Sequence, residues 1–337
     1  MKRANTNNNY FDLIKMFAAF FVIVSHAYPL TLGSGNYDFL YKFTNGQTDF
    51  GYLSVCILFI ISGYFILKSL NTNDTKSFFI KRIKRIFPPL IIMLFITTFI
   101  ISPFFYTQSK FYFFNLSPYL YFLKNTFLLT THTISGVFSN NVYFESINGS
   151  LWTLPVEFLL YIFLFIIYKF GILKQKNIKY SIFLLLILTF LQPIFINISP
   201  ILNTIIPLVL IYFSSSLIYS LNNTKIFNNK LFILLFIILI ISFIFNCYTF
   251  TKILLLPYVV IFIGRLARKN VLKSNIENLS YEIYLYGFFI QQCVVYILGS
   301  NNSVFLNIIF SITITISISY VCSKMLNKIK KVWFSYD

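Results

Sequence analysis

The 337-residue chain is 58% hydrophobic, 20% aromatic and only 11% charged, whereas water-soluble domains carry about 25% charged residues. So few polar residues cannot cover a globule in water, and the same composition excludes disorder, a collagen repeat and a disulfide scaffold. The 27 Lys and Arg against 9 Asp and Glu, a net +18, would suggest a nucleic acid in a soluble protein, but their distribution here points to a membrane and to no nucleic acid.

Apolar stretches of about 20 residues, the length that crosses a bilayer, fall near 11–31, 51–70, 87–107, 151–170, 180–198, 204–221, 231–247, 252–267, 281–299 and 304–324. They predict an all-α polytopic membrane protein of about ten transmembrane helices. Lys2 and Arg3 give the first stretch the look of a signal peptide, yet it holds Asp12, Lys15 and His26 and has no small-residue cleavage site, so it is expected to be retained. With ten spans in alternation, 22 of the 27 basic residues fall on one side, and only Lys42, Lys110, Lys124 and Lys252 fall on the other. Cytoplasmic loops hold the excess of Lys and Arg, so both termini are expected in the cytoplasm and the chain in the cell (inner) membrane. The long outward segment 108–150 has an apolar run at 118–129, too short to cross and expected as a re-entrant or interfacial helix. His132 within it reads as a solvated loop residue. Without a visible repeat or a Gly- or Pro-rich linker, residues 1–337 read as a single membrane domain. Cys56, Cys247, Cys293 and Cys322 lie in apolar runs without metal-ligand spacing, so they are expected as small buried hydrophobes and no metal is expected.

An ionisable side chain inside a span costs a few kcal/mol or more and is by default a site hypothesis. Lys15 and His26 are eleven positions apart, about three helical turns and a rise of about 16 Å, so they share one face of the first span, with Asp12 close to the same face. Their structural alternative is a snorkelling lysine, a helix-capping aspartate and a core histidine. Arg82 and Arg85, three apart at the expected cytoplasmic start of the third span before Pro88-Pro89, present two guanidinium forks suited to phosphate oxygens. Anchoring to anionic headgroups is the alternative. Glu157 lies one to two turns into the fourth span, behind Trp152 at its outer start, and needs a cation or a proton. Its depth is comparable with that of His26, where a carboxylate beside an imidazole would serve general-base chemistry.

Together these residues resemble the acyltransferase-3 family of integral-membrane acyltransferases. Asp12-Leu13-Ile14-Lys15, followed after ten residues by His26, resembles the family's opening pattern of a basic residue, ten positions and a histidine, with Lys15 in place of the common arginine. Phe59-Ile60-Ile61-Ser62-Gly63-Tyr64 is similar to a Phe-Phe-x-x-Ser-Gly-[Phe/Tyr] segment. Arg82-Ile83-Lys84-Arg85-Ile86-Phe87-Pro88 is similar to Arg-x-x-Arg-[aliphatic]-x-Pro, and Trp152-Thr153-Leu154-Pro155-Val156-Glu157 to Trp-[Ser/Thr]-Leu-x-x-Glu. Ser280-Tyr281-Glu282-Ile283-Tyr284-Leu285 resembles a late Ser-Tyr-x-x-Tyr-Leu segment, after which some members carry a histidine and this chain carries Gly287.

The resemblance implies transfer of an acyl group, most often acetyl, from cytoplasmic acyl-CoA to a hydroxyl of a cell-surface glycan or lipid-linked sugar. Acetyl-CoA is then a donor substrate, and no permanently bound cofactor is expected. On this reading Arg82 and Arg85 hold the CoA phosphates and Lys15 adds positive charge. His26 deprotonates the acceptor or carries the acyl group, and Glu157 orients or charge-stabilises it. Asp12, Ser62, Trp152, Tyr281 and Tyr284 support the site. The family's optional outward hydrolase-like domain does not follow the last span, which favours an O-antigen, capsule or other lipid-linked acceptor over peptidoglycan. A glycan flippase or transporter is the rival reading, but the halves of the chain show none of the inverted repeats of such folds.

Overall fold

The computed structural model describes residues 9–108, 111–144, 146–196, 199–221, 226–266, 279–299 and 303–333. Thirteen α-helices are described: α1 (Phe11–Leu32), α2 (Phe39–Phe43), α3 (Phe50–Thr72), α4 (Thr75–Phe95), α5 (Ser117–Thr126), α6 (Thr153–Lys169), α7 (Ile178–Ile196), α8 (Pro200–Leu221), α9 (Asn229–Ile244), α10 (Tyr248–Leu254), α11 (Leu256–Arg265), α12 (Ser280–Leu298) and α13 (Val304–Trp333). Among the described residues there is no strand, only isolated bridges at Tyr106–Val137 and Thr133–Ser146. Each of the ten expected stretches is helical. Seven helices are long and apolar enough to cross a membrane, and α10 with α11, bent by 43°, makes an eighth when the pair is taken as one broken span. Of the other two stretches, α9 is apolar but has only 16 residues, and α12 carries Glu282, Gln291 and Gln292. The chain is thus an all-helical, multi-pass membrane protein. Of the basic residues that weighed in the orientation argument, Lys2, Arg3, Lys110, Lys225, Arg268, Lys269 and Lys273 lie outside the described residues.

Two compact units can be distinguished. The first takes the described residues of Met1–Lys15, Leu40–Phe78 and Val156–Leu272. Here α3 starts where the Asp49 carboxylate accepts the Tyr52 N–H at 2.6 Å, satisfying an amide that has no helical partner. It then lies against α8 at Gly63, where a Cβ would come within 2.5 Å of the Tyr212 carbonyl oxygen. Ser216 on α8 donates to the Gly63 carbonyl at 3.1 Å. Small residues permit such close backbone approach in an apolar medium, where helices gain little from the hydrophobic effect. Lys252, the first residue of the expected 252–267 span, is buried on α10, its Nζ 4.7 Å and 5.9 Å from the ring centroids of Tyr52 and Tyr248. Cation–π attraction to two rings offsets part of its desolvation. Cys247 departs from the expected burial: it is exposed in the turn between α9 and α10, whereas Cys56 of this unit is buried.

The second unit takes the described residues of Met16–Phe39, Phe79–Pro155 and Lys273–Asp337, with α12 in its core. Leu285, Tyr286, Phe289 and Ile290 of α12 pack with Leu90, Met93, Phe138 and Leu151. Its buried glutamines donate through their amide nitrogens, as burial favours, while Gln291 Oε1 is buried without a partner among the described residues. Gln291 donates to the Ile23 carbonyl at 2.8 Å and to Asn307 Oδ1 at 3.0 Å. Gln292 donates to the Tyr143 and Ser146 carbonyls at 2.7 Å and 2.8 Å, while Asn141 donates to its Oε1 at 2.8 Å. Cys293 and Cys322 are buried here.

The expected outward segment 108–150 is clamped to α12 by those bonds and by Asn148 donating to the Leu285 carbonyl at 2.7 Å. Within it, α5 occupies part of the expected 118–129 run, and half-buried His132, expected as a solvated loop residue, is tied through Nδ1 to the Asn148 carbonyl at 3.1 Å. A further correction falls at Pro88-Pro89, which lie inside α4 rather than at its start. The helix begins thirteen residues before Pro88, at Thr75, after Asp74 has accepted the Ser77 N–H at 3.1 Å. The Ser77 hydroxyl, and after it this N–H, hold the Asp74 carboxyl below its ordinary range. The prolines remove two amide donors without ending the helix, as happens where neighbouring helices re-satisfy the backbone.

Candidate functional site

Asp12, Lys15 and His26 all belong to α1, an unbroken helix with Pro29 near its end. Lys15 Nζ lies 2.6 Å from Asp12 Oδ1, both side chains partly exposed. The track read from the spacing therefore begins as an ion pair within the first turns. His26 belongs to the second unit. Its ring meets Phe288 edge-on at 5.2 Å between centroids, its Nδ1 is buried without a partner, and neither ring nitrogen is hydrogen-bonded by a described residue. A histidine serving only as a core polar residue normally has at least one nitrogen satisfied. An imidazole with unengaged nitrogens is free to exchange a proton or accept an acyl group.

The approach of α1 to α12 explains Gly287. A Cβ there would lie 2.8 Å from Ile23 Cγ1, one turn before His26, so the small residue lets α12 bring Phe288 against the imidazole. Phe288 also touches Gly149, where a Cβ would come within 2.6 Å of its ring. The 3₁₀ turn Gly149–Trp152 is thereby seated next to Phe288, with Trp152 half-buried. Tyr284 fixes the same turn. Its hydroxyl donates to the Ser150 carbonyl at 3.1 Å and shares a 2.7 Å hydrogen bond with Thr153, the first residue of α6. Tyr281, one turn earlier on α12, donates to the Ile86 carbonyl at 3.2 Å, next in sequence to Arg85. On α4 Arg82 is half-buried and Arg85 exposed.

Glu157 stands four residues into α6. In the first unit its Oε1 accepts hydrogen bonds from Ser62 at 3.2 Å and from Tyr161. Both bonds fall on Oε1, and Oε2 takes none from a described residue. The unit thus unites two of the sequence-derived residues, Ser62 and Glu157, that are 95 positions apart, and Gly63 supplies the tight α3–α8 packing beside them. Sequence reading missed Tyr161, Phe288 and Gln291. For Tyr161 the signal was present, since a tyrosine four residues after an intramembrane glutamate shares its helical face. Phe288 and Gln291 sit in an apolar-aromatic helix and carry no local signal. Among the described residues no group of His, Cys, Asp and Glu can hold a metal ion.

Comparison with known proteins identifies the family. An acyltransferase-domain model, that of the acyltransferase-3 family, matches residues 8–324. An O-acetyl transferase of Shigella phage Sf6 is 33% identical over 190 residues, 53% of this chain and 50% of that protein. Nodulation protein 10 of Rhizobium leguminosarum bv. viciae is 29% identical over 173 residues, 48% of this chain and 44% of that protein. The chain therefore spans about half the length of the curated relatives it matches. No solved structure matches. With a family match that takes in every motif residue from Asp12 to Tyr284, the chain belongs to the acyltransferase-3 family.

Proposed function

We propose that this chain is a membrane O-acetyltransferase that moves an acetyl group from acetyl-CoA on the cytoplasmic side to a hydroxyl of a cell-surface glycan or lipid-linked sugar. The family match over residues 8–324 carries this reading, and the similarity to the phage O-acetyl transferase supports acetyl as the group. In this reading residues 1–337 form one acyltransferase domain of ten spans in the inner membrane, with both termini in the cytoplasm. Its partners are the bilayer, acyl-CoA and the acceptor glycan.

Arg82 and Arg85 bind the CoA phosphates, because paired guanidinium donors match phosphate oxygens, and Lys15 adds positive charge. Neither nitrogen of His26 is engaged by a described residue, which suits it to take the acceptor's hydroxyl proton or to carry the acetyl group. The thioester C–S bond breaks, the acyl C–O bond forms, and CoA leaves as the thiol with the acceptor's proton. Glu157 supplies negative charge to stabilise the developing cation, while Tyr281 and Tyr284 steady the turn and the α4 backbone at the site.

The test is mass spectrometry of surface polysaccharide from cells expressing the wild type, His26→Ala, and Arg82→Ala with Arg85→Ala, at matched membrane protein levels. The wild type adds acetyl groups, and His26→Ala loses them by about 100-fold or more, the usual weight of a general base. The paired arginine variant raises KM for acetyl-CoA in isolated membranes. A wild type that adds no acyl group removes the glycan as acceptor, and a His26→Ala enzyme with full acetylation removes the histidine from the chemistry.

A further inference from the structure

We propose that Tyr161 is a positioning residue of the transfer reaction, holding Glu157 with Ser62 so that one carboxylate oxygen is fixed and the other is left for the reaction. The inference rests on the reading of Glu157 as a member of the catalytic machinery, and adds a residue that none of the family motifs contains.

The geometry behind it is asymmetric. Two hydroxyls, from Ser62 on α3 and Tyr161 on α6, both donate to Oε1 of Glu157, while Oε2 takes no hydrogen bond from a described residue. An ionised carboxylate has about four lone-pair sites on two oxygens, and a purely structural glutamate in an apolar helix would be expected to have both oxygens satisfied. Here the donors are concentrated on one. Tyr161 is fully buried and Ser62 nearly so, whereas Glu157 itself is only half-buried. The clamp is therefore on the buried side of the carboxylate. Two anchors on one oxygen remove the rotational freedom of the group at its last torsion, which is the freedom a catalytic carboxylate must lose before its charge or its lone pair acts at a defined point.

Helix geometry accounts for the pairing. Tyr161 follows Glu157 by four residues, one helical turn, so the two side chains lie on the same face of α6. Ser62 reaches the same oxygen from the other helix. Tyrosine suits the role because its hydroxyl stands on a rigid ring with few torsions to lose, in contrast to a longer polar chain.

Turnover is measured in membrane vesicles from expressing cells, with acetyl-CoA as donor and both thiol release and glycan acetylation as readouts. Tyr161→Phe keeps the ring and removes only the hydroxyl. It is expected to lower kcat about tenfold, with KM for acetyl-CoA unchanged and the amount and melting temperature of folded protein close to wild type. In a Glu157→Asp background, where the carboxylate is one methylene shorter and withdrawn from the clamp, Tyr161→Phe is expected to cost less than threefold further. A purely structural tyrosine would cost the same in both backgrounds, or would lower the melting temperature and leave kcat per folded molecule intact. Either result overturns the inference, as does unchanged turnover in Tyr161→Phe. The failure of the parent reading is separate: full turnover in Glu157→Gln removes Glu157 from the catalytic machinery whatever Tyr161 does.

Discussion

Gly63 shows at the scale of a single residue how a site is built from what a side chain would obstruct. It follows Ser62 directly, and a Cβ at that position would lie 2.5 Å from the backbone oxygen of Tyr212, closer than real Cβ contacts come. A backbone oxygen in a packed helix pair cannot rotate away, so the whole of α3 must shift. Gly63→Ala is therefore expected to destabilise the protein by about 1–3 kcal/mol, the usual cost of overpacking, and to draw Ser62 away from the Glu157 carboxylate. Thermal unfolding in detergent, with acetylation measured per folded molecule, checks both effects. A melting temperature equal to wild type would mean that α3 and α8 adjust without strain. At this scale much of the candidate site was legible in the sequence. Asp12, Lys15, His26 and Glu157 are legible because ionisable groups in an apolar run need a reason, and Ser62 because it stands in a motif position. Their partners were not legible, since the bond from Ser62 to Glu157 joins residues 95 positions apart and no local period encodes it. Gly287 looked like a departure from the family pattern, and its cause is the close approach of Ile23.

At the scale of elements the sequence located helices well and their surroundings less well. Each of the ten apolar runs is helical because hydropathy reports directly on the medium a helix lies in. The start of α4 was placed too late, because Pro88-Pro89 drew attention as helix-start residues while Asp74, an ordinary capping aspartate, sets the start thirteen residues earlier. In the 108–150 segment the apolar run at 118–129 is legible, but the bonds that several of its polar residues make to α12 leave no local signal. Gln292 is the centre of that attachment: it receives Asn141 and holds the carbonyls of Tyr143 and Ser146. Gln292→Leu keeps the volume roughly constant but leaves two carbonyls and one amide without that partner. Since each buried unsatisfied polar group costs about 1–3 kcal/mol, the 106–148 region should detach from α12 well before the helices unfold. Limited proteolysis of vesicles or detergent micelles should then cut this region in the variant at protease levels that spare the wild type. Equal resistance would show that the apolar cluster around Phe138 and Phe289 holds the segment without the polar clamp.

The orientation of the whole molecule in the membrane is a proposal drawn from charge, and the cysteines offer a direct way to test it. Three of the four, Cys56, Cys293 and Cys322, are buried, and Cys247 alone of the four is exposed, in the turn between α9 and α10. Ten spans with the amino terminus in the cytoplasm put that turn, which joins the seventh and eighth, on the outer side, where the positive-inside rule leaves few basic residues. The buried Lys252 nearby, enclosed by Tyr52 and Tyr248, is withdrawn from the loop residues on which that rule counts. A membrane-impermeant maleimide added to spheroplasts is therefore expected to modify the native protein at one site, and Cys247→Ser should abolish the labelling while leaving acetylation intact. Labelling only after the vesicles are inverted would place the turn in the cytoplasm, requiring either a different number of crossings before α10 or the opposite orientation. That result would also move the donor-binding assignment of Arg82 and Arg85, because their access to cytoplasmic acetyl-CoA depends on the same alternation of spans.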